Sequence, residues 1–306
     1  MSSCRGFLVL ACVTGALAPT SPAAAAACCV SATQGAGRLL IWEELAVGIT
    51  TGTAFGVGYW DENADWHGYG DFAEIEWRSE IWAWVALGER TSAFLGLPAM
   101  LTYREAVDVH GLGGGLADIQ LAFRYELLAI GELLELPAVA IIASVLAPTG
   151  RSMQDATASL GADTTGRGAW VLSLGTSIEK TRLPFFLQLN LSTSLPLPAE
   201  RSDLGVSQRF GPGLQSSLAG GIEAVPDELV LSLVGRFAWE APLSIDGSSV
   251  DNSSRRDLGA GLAISWRFDP HWTVQAAADL GLFVDGLGDN QPGRITTTIG
   301  LRYGYF

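Results

Sequence analysis

Basic residues are in short supply in this chain: 18 Lys and Arg stand against 32 Asp and Glu, for a formal net charge of −14 at pH 7. Polyanions are repelled by such a surplus, so nucleic acid and acidic lipid surfaces are poor partners. Cysteine is equally sparse. Cys4 and Cys12 fall in an N-terminal leader and only the adjacent pair Cys28 and Cys29 lies beyond it, which excludes a disulfide scaffold. Long apolar runs are missing too. Hydrophobic residues make up 48% of the chain. Yet the longest uncharged apolar stretch after the leader, Leu136 to Ala147, contains Pro137 and falls short of the roughly 20 residues a membrane helix needs.

Histidine is limited to His67, His110 and His271. The first two fall between candidate strands, among Asp61, Glu62, Asp65, Asp71 and Asp108, without metal-ligand spacing, and read as solvated loop charge. The run Gly111-Leu112-Gly113-Gly114-Gly115 is followed by no helical pattern and so cannot cradle a phosphate. Ser265 lies near His271 in sequence, but alternation turns the serine inward while the histidine sits in a turn beyond the strand's end, so neither catalysis nor a cofactor is expected.

What is present begins with an address. Residues 1–27 carry Arg5, an apolar stretch from Phe7 to Leu17, and the small-residue run Pro22 to Ala27, the layout of a secretory signal peptide. Cleavage there leaves either a plain N-terminus with two cysteines or a lipidated Cys28. The remainder, 28–306, reads as one domain.

That domain alternates with period two, many times over. From Leu45 to Tyr59 the odd positions are Leu, Val, Ile, Thr, Thr, Phe, Val and Tyr, while the even ones are Gly, Ala or Thr. About twelve such segments occur, near residues 43–58, 72–86, 92–103, 116–128, 138–147, 168–179, 184–196, 213–223, 228–240, 257–268, 272–284 and 294–306. Each is long enough for a tilted strand to cross a bilayer, which takes about 9–11 residues. The connections alternate long and tight, as external loops and periplasmic turns do. The fold expected is therefore all-β: a transmembrane antiparallel up-and-down barrel with both termini on the periplasmic side.

Alternation also assigns the interior. Glu74, Glu76, Arg78, Glu80, Asp118, Gln120, Arg124, Glu126, Gln188, Asn190, Arg236, Arg267, Gln275, Asp279 and Arg302 are expected to line the lumen, either paired across a narrow barrel or facing a pore. Trp42, Trp60, Trp82, Trp84, Trp170, Trp239, Trp266, Trp272 and Tyr303 are expected in girdles at the membrane surfaces. The chain closes on an alternating strand ending Tyr303, Tyr305, Phe306, similar to the assembly signal of bacterial outer-membrane proteins, which implies the barrel-assembly machinery as a partner.

One stretch is more specific. Gly115-Leu116-Ala117-Asp118-Ile119-Gln120-Leu121-Ala122-Phe123-Arg124-Tyr125, then Pro137-Ala138-Val139-Ala140, Pro148-Thr149-Gly150 and Gly166-Arg167-Gly168-Ala169-Trp170, resemble the outer-membrane transporter-like family called MetA-pathway of phenol degradation. Ala117-Asp118 stands where that family has Gly-Asp. The resemblance implies a barrel that takes up small hydrophobic or aromatic molecules. The function expected is an outer-membrane channel or transporter, with outer-membrane lipid and a small solute as partners; the alternative is a structural or surface-interaction barrel with a plugged lumen.

Overall fold

The structure is a computed structural model, described here for residues 38–133, 135–201 and 206–306. The leader and Cys28 lie outside the described residues. Twelve strands make the barrel: β1 Leu45–Trp60, β2 Phe72–Gly88, β3 Thr91–Ala106, β4 Ile119–Leu128, β5 Ala138–Ala147, β6 Val171–Arg182, β7 Phe185–Pro196, β8 Gly213–Val225, β9 Leu229–Glu240, β10 Arg255–Arg267, β11 Trp272–Gly281 and β12 Gln291–Tyr305. Each pairs antiparallel with the next, and β12 returns to β1 in a register running from Leu45↔Tyr305 to Trp60↔Gln291. Closure leaves no free sheet edge inside the membrane, where an unpaired amide would have no water to satisfy it.

The period-two reading survives contact with the structure because one face of every strand meets lipid. Ile49, Trp77, Ile81, Phe123, Leu187, Leu218, Leu233, Leu262 and Ile299 all point outward and are exposed. A one-residue slip would exchange this face for the polar one, so the register is strongly fixed. Along the β12–β1 seam the inward face is nearly bare, with Gly48, Thr50, Gly52 and Ala54 opposite Thr298, Gly300 and Arg302. A Cβ on Gly52 would stand 2.7 Å from the Thr297 carbonyl oxygen, so this close approach needs glycine.

Three segments differ from expectation. Residues 104–115, read as a loop, are a β-hairpin: β3 continues to Ala106 and pairs with Val109–Leu116, because the alternating pattern runs past the membrane. The strand expected at 168–179 begins at Val171, since the residues before it are tied into the preceding loop. Trp60, Trp82 and Trp84 are not in a girdle; all three carry the inward parity of their strands, with Trp60 and Trp84 only 1% and 3% exposed and Trp82 bonded to Thr50. Trp170, Trp239, Trp266 and Trp272 do face outward. Outside the barrel, Trp66–Gly68 pairs with the end of β1, and Ala199–Arg201, Val206–Arg209, Ser244–Ile245 and Ser248–Ser249 form a small external sheet.

Candidate functional site

The lumen has three levels. At the external level β2 supplies Glu74 and Glu76. Glu74 accepts from Arg104 Nε on β3 at 2.9 Å and from Arg294 Nη2 on β12 at 3.2 Å, while Glu76 accepts from Arg294 Nη1 at 3.1 Å. Arg236 on β9 bridges Asp257 and Asp279, each at 2.6 Å. Beside them Trp66 lies between Trp60 and Phe283, with ring centroids 4.7 and 4.8 Å away, and Trp60 donates its indole N–H to the Val284 carbonyl at 3.0 Å. Offset and tilted ring pairs of this kind hold two loops together by more than area burial alone.

A single carboxylate organises the third external loop, residues 148–167. Asp118 accepts the Gly150 amide at 2.9 Å and the Arg167 amide at 2.7 Å, and Thr149 Oγ1 accepts the Ile119 amide and donates to the Ala117 carbonyl. The segments that carried the family resemblance thus meet in one knot. Within the loop, Asp163 accepts from the amides of Thr157 and Ala158 and from Arg151. The Thr157 amide first, then those of Ala158 and the Arg151 guanidinium, hold its carboxyl well below the usual carboxylate range. Arg104 Nη1 donates to the carbonyls of Leu160 and Gly161, both at 3.0 Å, and so ties this loop to the lumen wall.

Between the ends lies a cavity of about 360 Å³, reached by Thr50, Arg78, Gln120, Arg236, Asp257 and Thr298 from six different strands.

At the periplasmic level the chain closes its own mouth. Residues 38–44, just before β1, turn into the barrel, where Arg38, Leu40 and Glu43 are each 5% exposed. Arg38 makes two hydrogen bonds of 3.3 Å to the Glu179 carboxylate on β6. Glu43 accepts the Leu40 amide at 2.7 Å and pairs through both oxygens with Arg302 of β12. Leu39 packs against an apolar cluster of Ala46, Trp84, Phe94 and Ala122. Arg124 lies beside this plug, 3.6 Å from Glu126, with its Nε and Nη1 lacking hydrogen-bond partners among the described residues.

The residues expected to line the lumen therefore divide. Glu76, Arg78, Gln120 and Arg236 line the open part, while Glu74 is buried beside it in its pairs with Arg104 and Arg294. Asp118 holds a loop. Arg124, Glu126 and Arg302 belong to the plugged end, and Gln188, 2% exposed, is packed there against Ser177. Asn190 donates to Ser217 across the β7–β8 pair. Arg267 shares the inward parity but bends to the carbonyl of Asp227 in a periplasmic turn, so it reaches the rim and not the pore. His271 Nδ1 meets the Gly304 carbonyl oxygen at 2.8 Å, and its ring stacks on Tyr303 and Phe306 at the closing strand. Sequence reading missed Arg38, Glu43 and Glu179. The signal that was available was a charged pair flanking Leu39-Leu40 immediately before the first strand.

The fold is similar to that of solved outer-membrane β-barrels. The crystal structure of the COG4313 outer membrane channel from Pseudomonas putida F1 is similar with a TM-score of 0.68 at 13% identity, over 86% of this chain and 96% of that one. The translocator domain of the autotransporter NalP from Neisseria meningitidis is less similar, with a TM-score of 0.49 at 13% identity over 85% of this chain and 88% of that one. No family model matches the chain, and no curated protein does.

Proposed function

We propose that this chain is an outer-membrane channel for small hydrophobic or aromatic solutes, gated at its periplasmic mouth by residues 38–44. The observation that carries this reading is the division of the lumen. A 360 Å³ cavity is walled by the barrel's own strands, whereas the mouth below it is filled by a segment outside the barrel wall. A wall cannot move without breaking the sheet, but residues 38–43 are held by side-chain contacts, the ion pairs of Arg38 and Glu43 among them, and can leave. The resemblance of residues 113–195 to a family of phenol-degradation barrels, and the Trp84 and Phe94 rings that departure of Leu39 would uncover, support aromatic solutes. On the same reading the leader exports the chain, and Tyr303, Tyr305 and Phe306 are what the barrel-assembly machinery recognises.

Liposome swelling tests the channel. Refolded protein should admit arabinose, slowly for the intact chain and faster once the plug is loosened by Glu179→Gln. If neither form admits it, the channel reading fails and a plugged barrel acting through its external surface takes its place.

A further inference from the structure

Three arginines and three carboxylates line the mid-lumen cavity, and all but one of the arginines are accounted for. Arg294 holds Glu76 and Arg236 holds Asp257. Glu80 leans over Gly96 on the neighbouring strand, where its Oε1 would stand 2.4 Å from an added Cβ. Arg78 is left: it is exposed although it points into the barrel, and among the described residues its guanidinium has neither an ion pair nor a hydrogen bond, Glu80 two residues along the same face being the carboxylate that feels its charge. Its cross-strand neighbours, Gly52 and Met100, offer it no oxygen.

Resting on the channel reading, we propose that this cavity is a binding site for small apolar monocarboxylates, with Arg78 as the anchor of the carboxylate. A guanidinium presents paired N–H donors that match the two oxygens of a carboxylate. In a barrel interior of reduced dielectric such a pair is stronger than in bulk water. The Thr296 and Thr298 hydroxyls lie on the same cavity wall as further donors. Glu76 and Glu80 line the same space and disfavour a dianion, which selects one negative charge over two. The apolar part of the ligand has a place as well. Just toward the periplasm, Trp82 donates its indole N–H to Thr50 at 3.1 Å and lays its ring over Gly48, where a Cβ would come within 2.4 Å of the ring. Trp84 and Phe94, below it, are each 3% exposed and packed under Leu39, so the Trp82 ring is the apolar face left for the ligand. Charge above and a ring below describe an aromatic or short aliphatic acid.

Calorimetric titration of the refolded barrel with sodium benzoate, benzamide and benzylammonium chloride tests the site. Benzoate should bind at least tenfold more tightly than either of the others. Arg78→Gln should weaken benzoate at least tenfold without changing benzamide, and Arg78→Lys should restore part of the loss, with the heat-modifiable gel shift confirming that each variant is folded. Equal binding of benzoate and benzamide, or Arg78→Gln indistinguishable from the parent, overturns the site. Arabinose swelling separates the two readings: a barrel that admits arabinose but shows no benzoate preference loses the site and keeps the channel, while one that binds benzoate yet admits nothing keeps the site and loses the channel.

Discussion

Arg38 and Glu179 meet inside the barrel through two hydrogen bonds of 3.3 Å, 141 residues apart in the chain and both almost fully buried. Because β6 lies nearly opposite β1 in the strand order, this pair carries the N-terminal segment most of the way across the periplasmic mouth.

Glu179→Gln should therefore unseat the plug. Removing one partner of a buried pair leaves the other uncompensated, at a cost of about 3–5 kcal/mol if the geometry is kept. Here Arg38 can instead return to water, so undocking sets the ceiling on that cost. The expected outcome is higher conductance in planar bilayers and cleavage by trypsin after Arg38 from the periplasmic side. A variant as closed and as resistant as the parent would show that the pair does not hold the gate.

The membrane face is tested at β12, where neighbouring residues point opposite ways. Ile299, 54% exposed, faces lipid and Thr298 lines the cavity. Ile299→Arg should destabilise by about 2–4 kcal/mol near the midplane, and Thr298→Glu by much less, in urea refolding titrations. Gln188 would be a poor comparison, since at 2% exposure any larger side chain there meets the packed plug end.

The third loop is tested through its acid. Asp163 is held below the ordinary 3.8, so its contribution is fully present above that value and is lost only as pH falls through the lower, folded-state value. Amide hydrogen-exchange protection of the loop should persist at pH 4, where an ordinary aspartate is already about 40% protonated. Asp163→Asn should lose that protection at pH 7. Loss of protection in the parent between pH 5 and pH 4 would contradict the assignment.

Gly166 tests the knot at Asp118 independently. An added Cβ would stand 2.3 Å from Asp118 Oδ1 and 2.8 Å from the Gly150 Cα, with backbone on one side and a hydrogen-bonded carboxylate on the other. Gly166→Ala and Asp118→Ala should loosen the loop to similar extents, and the double variant should be little worse than either, as expected for two changes at one contact. Additive effects on amide hydrogen exchange would mean that the two residues act separately.

How much of this was legible in the sequence follows from which forces leave a pattern. Lipid on one side imposes strict alternation, so both ends of Ala138 to Ala147 could be placed, and Ile119 to Leu128 to within three residues at its start. Asp118 was visible as a charge at a strand start, though not as the acceptor for amides 32 and 49 residues away. Inward parity located Arg78, Arg236 and Arg302 equally well, and could not say which would be paired, because pairing depends on what stands across the lumen. Residues 38–44 have no period at all. Their position comes from distant partners, Glu179 and Arg302 among them, and no local rule records those.

The Glu43–Arg302 pair also has a temporal meaning. Its members are 259 residues apart, one just before the first strand and the other on the last. The pair cannot form until the final strand has arrived, and Gly304 beside it leaves just enough room for the Glu43 carboxylate. The Glu43 end of the plug is therefore locked only by the closed seam, whereas the Arg38 contact to Glu179 on β6 does not wait for it.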